Sequence, residues 1–282
     1  VTATDLPAWS EAFTVLDAVA ALPLPAGARD WAWGGATGRG VKVAVVDSGI
    51  DADHPWLQRG PVTGVQGHAT LALDPTADDG FTLTTDPHED LVGHGTACAA
   101  IIRALAPECE LHSVRVLGAN LKGQGALLHA GIAWAVEQGM DVVNLSLSSK
   151  ADRMFAPLHE IADEAYFAST VLVCAANNYP GATYPSQFSS VVSVAARATD
   201  DPWSLAYNPR PPVEFAARGV ELEVAWSDGG TTVATGNSFA APHVAGLVAL
   251  LRSKHPGLTP FQVKTVLQAC AENAVPPAEG GP

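Results

Sequence analysis

The sequence predicts an α/β fold of three layers, in which a mainly parallel twisted sheet carries helices on both faces. Three observations predict it. The segments Val41–Asp47, Asp141–Ser148 and Thr170–Cys174 are nearly continuous apolar runs, the pattern of strands covered on both sides. Segments with helical spacing fall between them, and this β-α-β-α alternation implies parallel strands. The chain has 282 residues, 48% of them hydrophobic, which allows one large core that need not depend on disulfides.

The elements follow in order. Residues 1–27 hold Pro7, Pro23 and Pro25 around an apolar stretch from Phe13 to Leu22, read as a short surface helix in an N-terminal extension. Residues 28–274 form the main domain, and 275–282 a flexible Pro/Gly-rich tail. The first core strand ends in Asp47-Ser48-Gly49. Residues 60–92 read as loop, with Asp74, Asp78, Asp79, Asp86, Glu89 and Asp90 on a solvated acidic segment. A helix starts at His94 and runs to about Ala104. Leu111–Leu117 is a strand, and Gly125–Gln138 a helix whose apolar face carries Leu127, Leu128, Ile132 and Trp134. Another helix covers about 153–168. Short β-rich runs then alternate with turns from Val191 to Thr235, with Trp203, Tyr207 and Trp226 as packing residues. Ser238 opens a buried helix with Pro242 in its first turn, where the missing N–H breaks no bond. A last helix begins at Thr259-Pro260.

Composition excludes some classes. Net charge is −14, which disfavours nucleic acid because phosphate contacts need a basic face. No run of eighteen apolar residues offers a membrane span. No nucleic-acid or membrane partner is expected, and the chain is read as a monomer. Compartment stays open between cytoplasmic and secreted with a leader removed. Four cysteines (Cys98, Cys109, Cys174, Cys270) form no CxxC pair, so no zinc site is expected. Cys174 and Cys270 read as buried apolar residues, while Cys98 and Cys109 are close enough in sequence for a disulfide that spacing alone does not settle.

Three motifs carry chemistry: Val45-Val46-Asp47-Ser48-Gly49-Ile50-Asp51, Gly93-His94-Gly95-Thr96, and Gly236-Asn237-Ser238-Phe239-Ala240-Ala241-Pro242-His243-Val244-Ala245-Gly246. Each has a bland reading. Ser238 fits a helix N-cap and Asp47 a turn. Together, an acid, a base and a hydroxyl form the set that activates a nucleophile. In their order Asp47, His94, Ser238, the motifs resemble those of the subtilisin-like serine protease (subtilase) family, and the resemblance runs from about Trp31 to about Cys270.

The resemblance implies a serine endopeptidase that acts on a polypeptide substrate through an acyl-enzyme, with Asp47, His94 and Ser238 as catalytic residues. Cys174-Ala175-Ala176-Asn177-Asn178 is similar to the family's oxyanion segment, which makes Asn178 the oxyanion donor, although Asn177 stands where glycine is usual and competes for the role. The substrate-binding walls implied are Ser146-Leu147-Ser148 and Ala175-Ala176-Asn177. Ser148 and Asn177 replace glycines and should narrow the pocket toward small or polar side chains. Asn237 replaces the usual threonine beside the nucleophile. The family's calcium loop is missing from the His94 helix, and Trp56 stands in place of that site's aspartate. No cofactor is therefore required and the tight calcium site is expected to be absent, with a weak calcium site in the acidic loop left open. A dedicated maturation protease is one form of the reading. A catalytically inactive binding protein and a peptide transferase or macrocyclase are the alternatives.

Overall fold

The structure of the protein is a computed structural model that describes residues 7–8, 10, 19–20, 27–78, 80–121 and 123–275. Its centre is a nine-stranded sheet in the order β4-β3-β5-β2-β6-β7-β8-β10-β9. The strands are β2 (Lys42–Asp47), β3 (Gly67–Leu73), β4 (Phe81–Thr84), β5 (Glu110–Arg115), β6 (Val142–Leu145), β7 (Val171–Ala175), β8 (Val192–Arg197), β9 (Leu205–Tyr207) and β10 (Phe215–Arg218). The seven strands from β3 to β10 in that order pair in parallel, and antiparallel β4 and β9 close the two edges. A small hairpin joins β11 (Leu222–Ala225) and β12 (Thr231–Ala234). Near the chain ends, β1 (Val19–Ala20) lies parallel to β13 (Ala274–Val275).

Helices cover both faces: α1 (Ala28–Trp33), α2 (His94–Leu105), α3 (Gly125–Glu137), α4 (Phe155–Phe167), α5 (Asn237–Lys254) and α6 (Pro260–Ala269). Successive side chains of a strand point to opposite faces, and β2 shows it. Val43 and Val45 join a core with Cys98 and Ile102 of α2 and Val244, Leu247, Val248 and Leu251 of α5. Ala44 and Val46 join the opposite core with Leu127, Leu128 and Ile132 of α3 and Leu158, Ile161 and Ala162 of α4. The predicted three-layer α/β arrangement is the one observed.

Several expectations are corrected. Residues 60–92 are not all loop: β3 and β4 form a hairpin on the sheet edge. The run 141–148 is a strand only over Val142–Leu145, which leaves Ser146–Ser148 as open main chain. Pro242 sits in the second turn of α5, not the first. Trp203 is 37% exposed rather than packed. All four cysteines are buried free thiols, so Cys98 and Cys109 are not bridged. Of the helix expected over Phe13–Leu22, only Val19 and Ala20 are described, and they are β1. Residues 276–282 of the expected tail lie outside the described residues.

The topology places the site. β2, β6 and β7 are parallel neighbours with Val46 beside Leu145 and Leu145 beside Cys174. Asp47, Ser146 and Asn178 therefore follow the carboxyl ends of three adjacent strands, where open α/β sheets build their binding crevices.

Candidate active site

Asp47 ends β2 fully buried, and both its carboxylate oxygens face His94 Nδ1, at 2.8 and 2.9 Å. The Ser48 N–H donates to the same carboxylate at 2.8 Å. His94 is the first residue of α2, whose start lies hard against the Asp47-Ser48-Gly49 turn. There is no room for a larger residue at 95: a Cβ there would sit 2.0 Å from the Gly49 carbonyl oxygen and 3.1 Å from Asp47 Cβ. Gly49 itself has φ +112°, where a side chain would be strained.

A second acid supports this contact. Asp90 was expected on a solvated segment, yet it is half-buried and saturated with donors. Ser48 Oγ–H donates to it at 2.7 Å, and the Thr96 N–H and hydroxyl at 2.8 and 2.7 Å. Burial alone would raise its carboxyl, but hydrogen bonds from Gly93, Thr96, Val92 and Ser48 outweigh that and hold it below the usual carboxylate range. For His94, burial pushes the imidazole down. The Asp47 charge, its hydrogen bond and the Asp90 charge push harder, and the pKa ends above the ordinary histidine value.

Ser238 lies in the first turn of α5 and lines a cavity of about 380 Å³ together with His94, Ser146, Leu147, Ser148 and Asn178. Ala175, Ala176, Asn177, Leu117 and Leu121 complete its lining. All the predicted site residues except Asp47 thus border one cavity, and Asp47 reaches it through His94. Asn178 Oδ1 accepts the Asn237 N–H at 2.9 Å. Its Nδ2 and Ser238 Oγ both approach the open side of Gly236, at 3.6 and 3.2 Å from where a Cβ would stand. The Asn177 side chain is used otherwise, donating to the Tyr179 carbonyl at 2.6 Å.

Sequence reading missed four supports. Asn237 is fully buried, its Oδ1 accepting the Ala196 N–H at 2.8 Å and its Nδ2 facing the Ala176 and Asn177 carbonyls at 3.1 Å. Asn144 donates to Ser146 Oγ at 3.1 Å. Cys98 Sγ lies 3.3 Å from Ser146 Oγ and 3.5 Å from the Ser238 carbonyl. Asp90 is the fourth. One signal was available for Cys98: it stands four residues after His94, on the same helix face.

Asp47, His94 and Cys98 bring three potential ligand atoms within 4.8 Å of one another. Burial and the Asp47 charge hold the Cys98 thiol protonated, and His94 Nδ1 is engaged by Asp47, so the group fits a hydrogen-bonded network better than a metal centre. Trp56 packs on the core, and its indole side chain carries no oxygen.

The family model described as "Subtilase family" matches residues 38–281. The chain belongs to the subtilase family. This subtilase is 33% identical over 252 residues to Subtilisin E of Bacillus subtilis strain 168, an alignment covering 84% of this chain and 62% of that protein. It is 33% identical to Subtilisin of Bacillus pumilus, covering 84% of this chain and 86% of the relative. The solved structure titled "Crystal structure of a cold adapted subtilisin-like serine proteinase" superposes with a TM-score of 0.63 at 25% identity, covering 88% of this subtilase and 86% of that chain. "S41 Psychrophilic Protease" gives a TM-score of 0.66 at 26% identity, covering 82% and 83%.

Proposed function

We propose that this subtilase is a serine endopeptidase whose catalytic residues are Asp47, His94 and Ser238. The observation that carries the reading is the buried Asp47–His94 pair opening onto the same cavity as Ser238. Ser238 Oγ attacks the peptide carbonyl. His94 takes its proton and returns it to the leaving amine. Asp47 holds the Nδ1–H and stabilises the imidazolium. The tetrahedral oxygen is held by Asn178 Nδ2 and the Ser238 N–H. Water then releases the acyl group.

Substrate pairs as an added strand along Ser146–Ser148 and Ala175–Asn177, and the side chain before the scissile bond enters between Ser148 and Asn177. Those two polar residues support selectivity for small or polar side chains, and with it a maturation role on few substrates rather than broad digestion. The tight calcium site of the family is not used, a reading supported by the unbroken α2 and by Trp56. The inactive alternative loses support because every catalytic position is filled. A transferase needs its acyl-enzyme shielded from water, whereas Ser238 is partly exposed.

The test is fluorophosphonate labelling with peptide mapping, run beside hydrolysis of a mixed peptide library. An adduct on Ser238 that His94→Ala abolishes, with the two product masses summing to the substrate plus one water, is the expected result. A folded protein that takes no label would sink the reading.

A further inference from the structure

The N-terminal segment is held against the proposed oxyanion site. The Ala8 N–H donates to the Asn178 carbonyl at 2.7 Å, and the Ala8 carbonyl accepts from Asn237 Nδ2 at 3.1 Å. Pro7 and Ser10 on either side are buried, and the Ser10 N–H closes a turn onto the Pro7 carbonyl at 3.1 Å. A second tie lies further along, where β1 pairs with β13. Pro7, Ala8, Ser10 and β1 lie ahead of the matched family region, which begins at residue 38, whereas the residues that hold them lie within it.

The two residues it grips do complementary work. The Asn178 side chain lies beside Gly236 on the cavity that Ser238 also lines, while its carbonyl goes to Ala8. Asn237 fixes the Asn178 carboxamide through its N–H and gathers the Ala176, Asn177 and Ala8 carbonyls on its Nδ2. We propose that Pro7–Ala8 is a positioning strap, whose main chain clamps Asn178 and Asn237 so that the oxyanion donor is already in place when the tetrahedral intermediate forms. The inference rests on the oxyanion reading of Asn178. Its physical basis is that a donor must be preorganised to favour the transition state over the substrate. The strap therefore acts on kcat and leaves KM alone.

The test uses the full chain. Ala8→Pro removes the N–H, and an amide-to-ester replacement at residue 8 removes the same donor with less disturbance should the proline variant fold poorly. Ala8→Gly keeps both bonds and serves as control. The strap predicts a kcat about 10-fold lower in the N–H-deficient variants, short of the roughly 10²–10³ of a whole lost donor. KM stays within about twofold, a peptide aldehyde binds more weakly in the same proportion, and Ala8→Gly matches the parent. Combined with Asn178→Gly, the loss is less than additive, because the strap works through Asn178. An ester variant with the parent's kcat, or a loss confined to KM, overturns the strap while leaving the protease reading intact. An Asn178→Gly variant with full kcat overturns the oxyanion reading and the strap's target with it.

Discussion

Ser146 Oγ donates a hydrogen bond to the Ser238 carbonyl at 2.8 Å. That carbonyl would ordinarily accept the N–H four residues on in the helix, but residue 242 is proline and has none. Pro242 thus frees the oxygen in the turn that carries Ser238, and the end of β6 supplies the partner. Asn144 and Cys98 in turn orient Ser146. A wall residue by sequence proves to be a tie between the sheet and the proposed nucleophile's own peptide unit.

Ser146→Ala should therefore destabilise the protein by about 1 kcal/mol or more, because it leaves the Ser238 carbonyl with only the weaker Cys98 S–H contact. Pro242→Ala restores a helical donor to the same oxygen. The double variant should lose less than the sum of the two single changes, and chemical denaturation of the four proteins gives the coupling energy. Additive losses would show that Pro242 and Ser146 do not share this carbonyl.

In the proposed mechanism the raised His94 pKa sets the acid limb of activity. His94 accepts a proton only when neutral, so kcat/KM falls as pH drops through a value above the ordinary 6.5. Asp90→Asn removes one of the charges that raises it, and the limb should move to lower pH. Stability runs the other way: a base whose pKa is raised on folding stabilises below its unfolded value and loses that contribution as pH rises through the folded one. His94 is thus most useful to catalysis where it contributes least to stability. A pH–rate profile of the parent and Asp90→Asn, with thermal melts across the same range, checks both signs.

The fold was legible because its signals are local and repeated: the valines of β2 and β7 and the helical spacing of α3 and α4 each point to one layer. The Asp47, His94 and Ser238 positions were legible because each lies within a long motif. What stayed hidden depends on contacts across the chain. Asp90 looked solvated among its acidic neighbours, and only the approach of Ser48 and Thr96 makes it part of the site. Ala8 has only a methyl side chain, with no polar group to announce a role, and it makes both bonds through its own main chain. Pro242 was misplaced by one turn because helix boundaries are the weakest part of a pattern reading; the misplacement hid the free Ser238 carbonyl.

Gly95→Ala should be far worse than its chemistry suggests. Alanine is the better helix former by about 1 kcal/mol, but its Cβ would sit 2.0 Å from the Gly49 carbonyl oxygen, a backbone atom that cannot turn aside. Overpacking of this kind costs about 1–3 kcal/mol or more and would push α2 away from Asp47. Denaturant midpoints and loss of Ser238 labelling read both effects. Exposed Gly257, with open space where a Cβ would go, is the contrast: Gly257→Ala should be neutral or stabilise by up to about 1 kcal/mol.

The pocket makes the sharpest claim about substrate. Ser148 and Asn177 line the cavity beside Ser238, where two glycines would leave more space and no polar side chains. Asn177 is also pinned by its bond to the Tyr179 carbonyl, so it does not swing clear easily. Replacing both (Ser148→Gly with Asn177→Gly) should raise kcat/KM for peptides with Phe or Tyr before the scissile bond by about 10-fold or more, the scale on which pocket volume discriminates. Activity on Ala or Ser at that position should change little, because small side chains do not reach the removed groups. Competing both peptide classes in one reaction gives the ratio directly. A parent enzyme that already prefers Phe or Tyr, or a double variant with an unchanged ratio, would show that the side chain before the scissile bond is read elsewhere in the cavity, with the Leu117 and Leu121 side the next place to mutate.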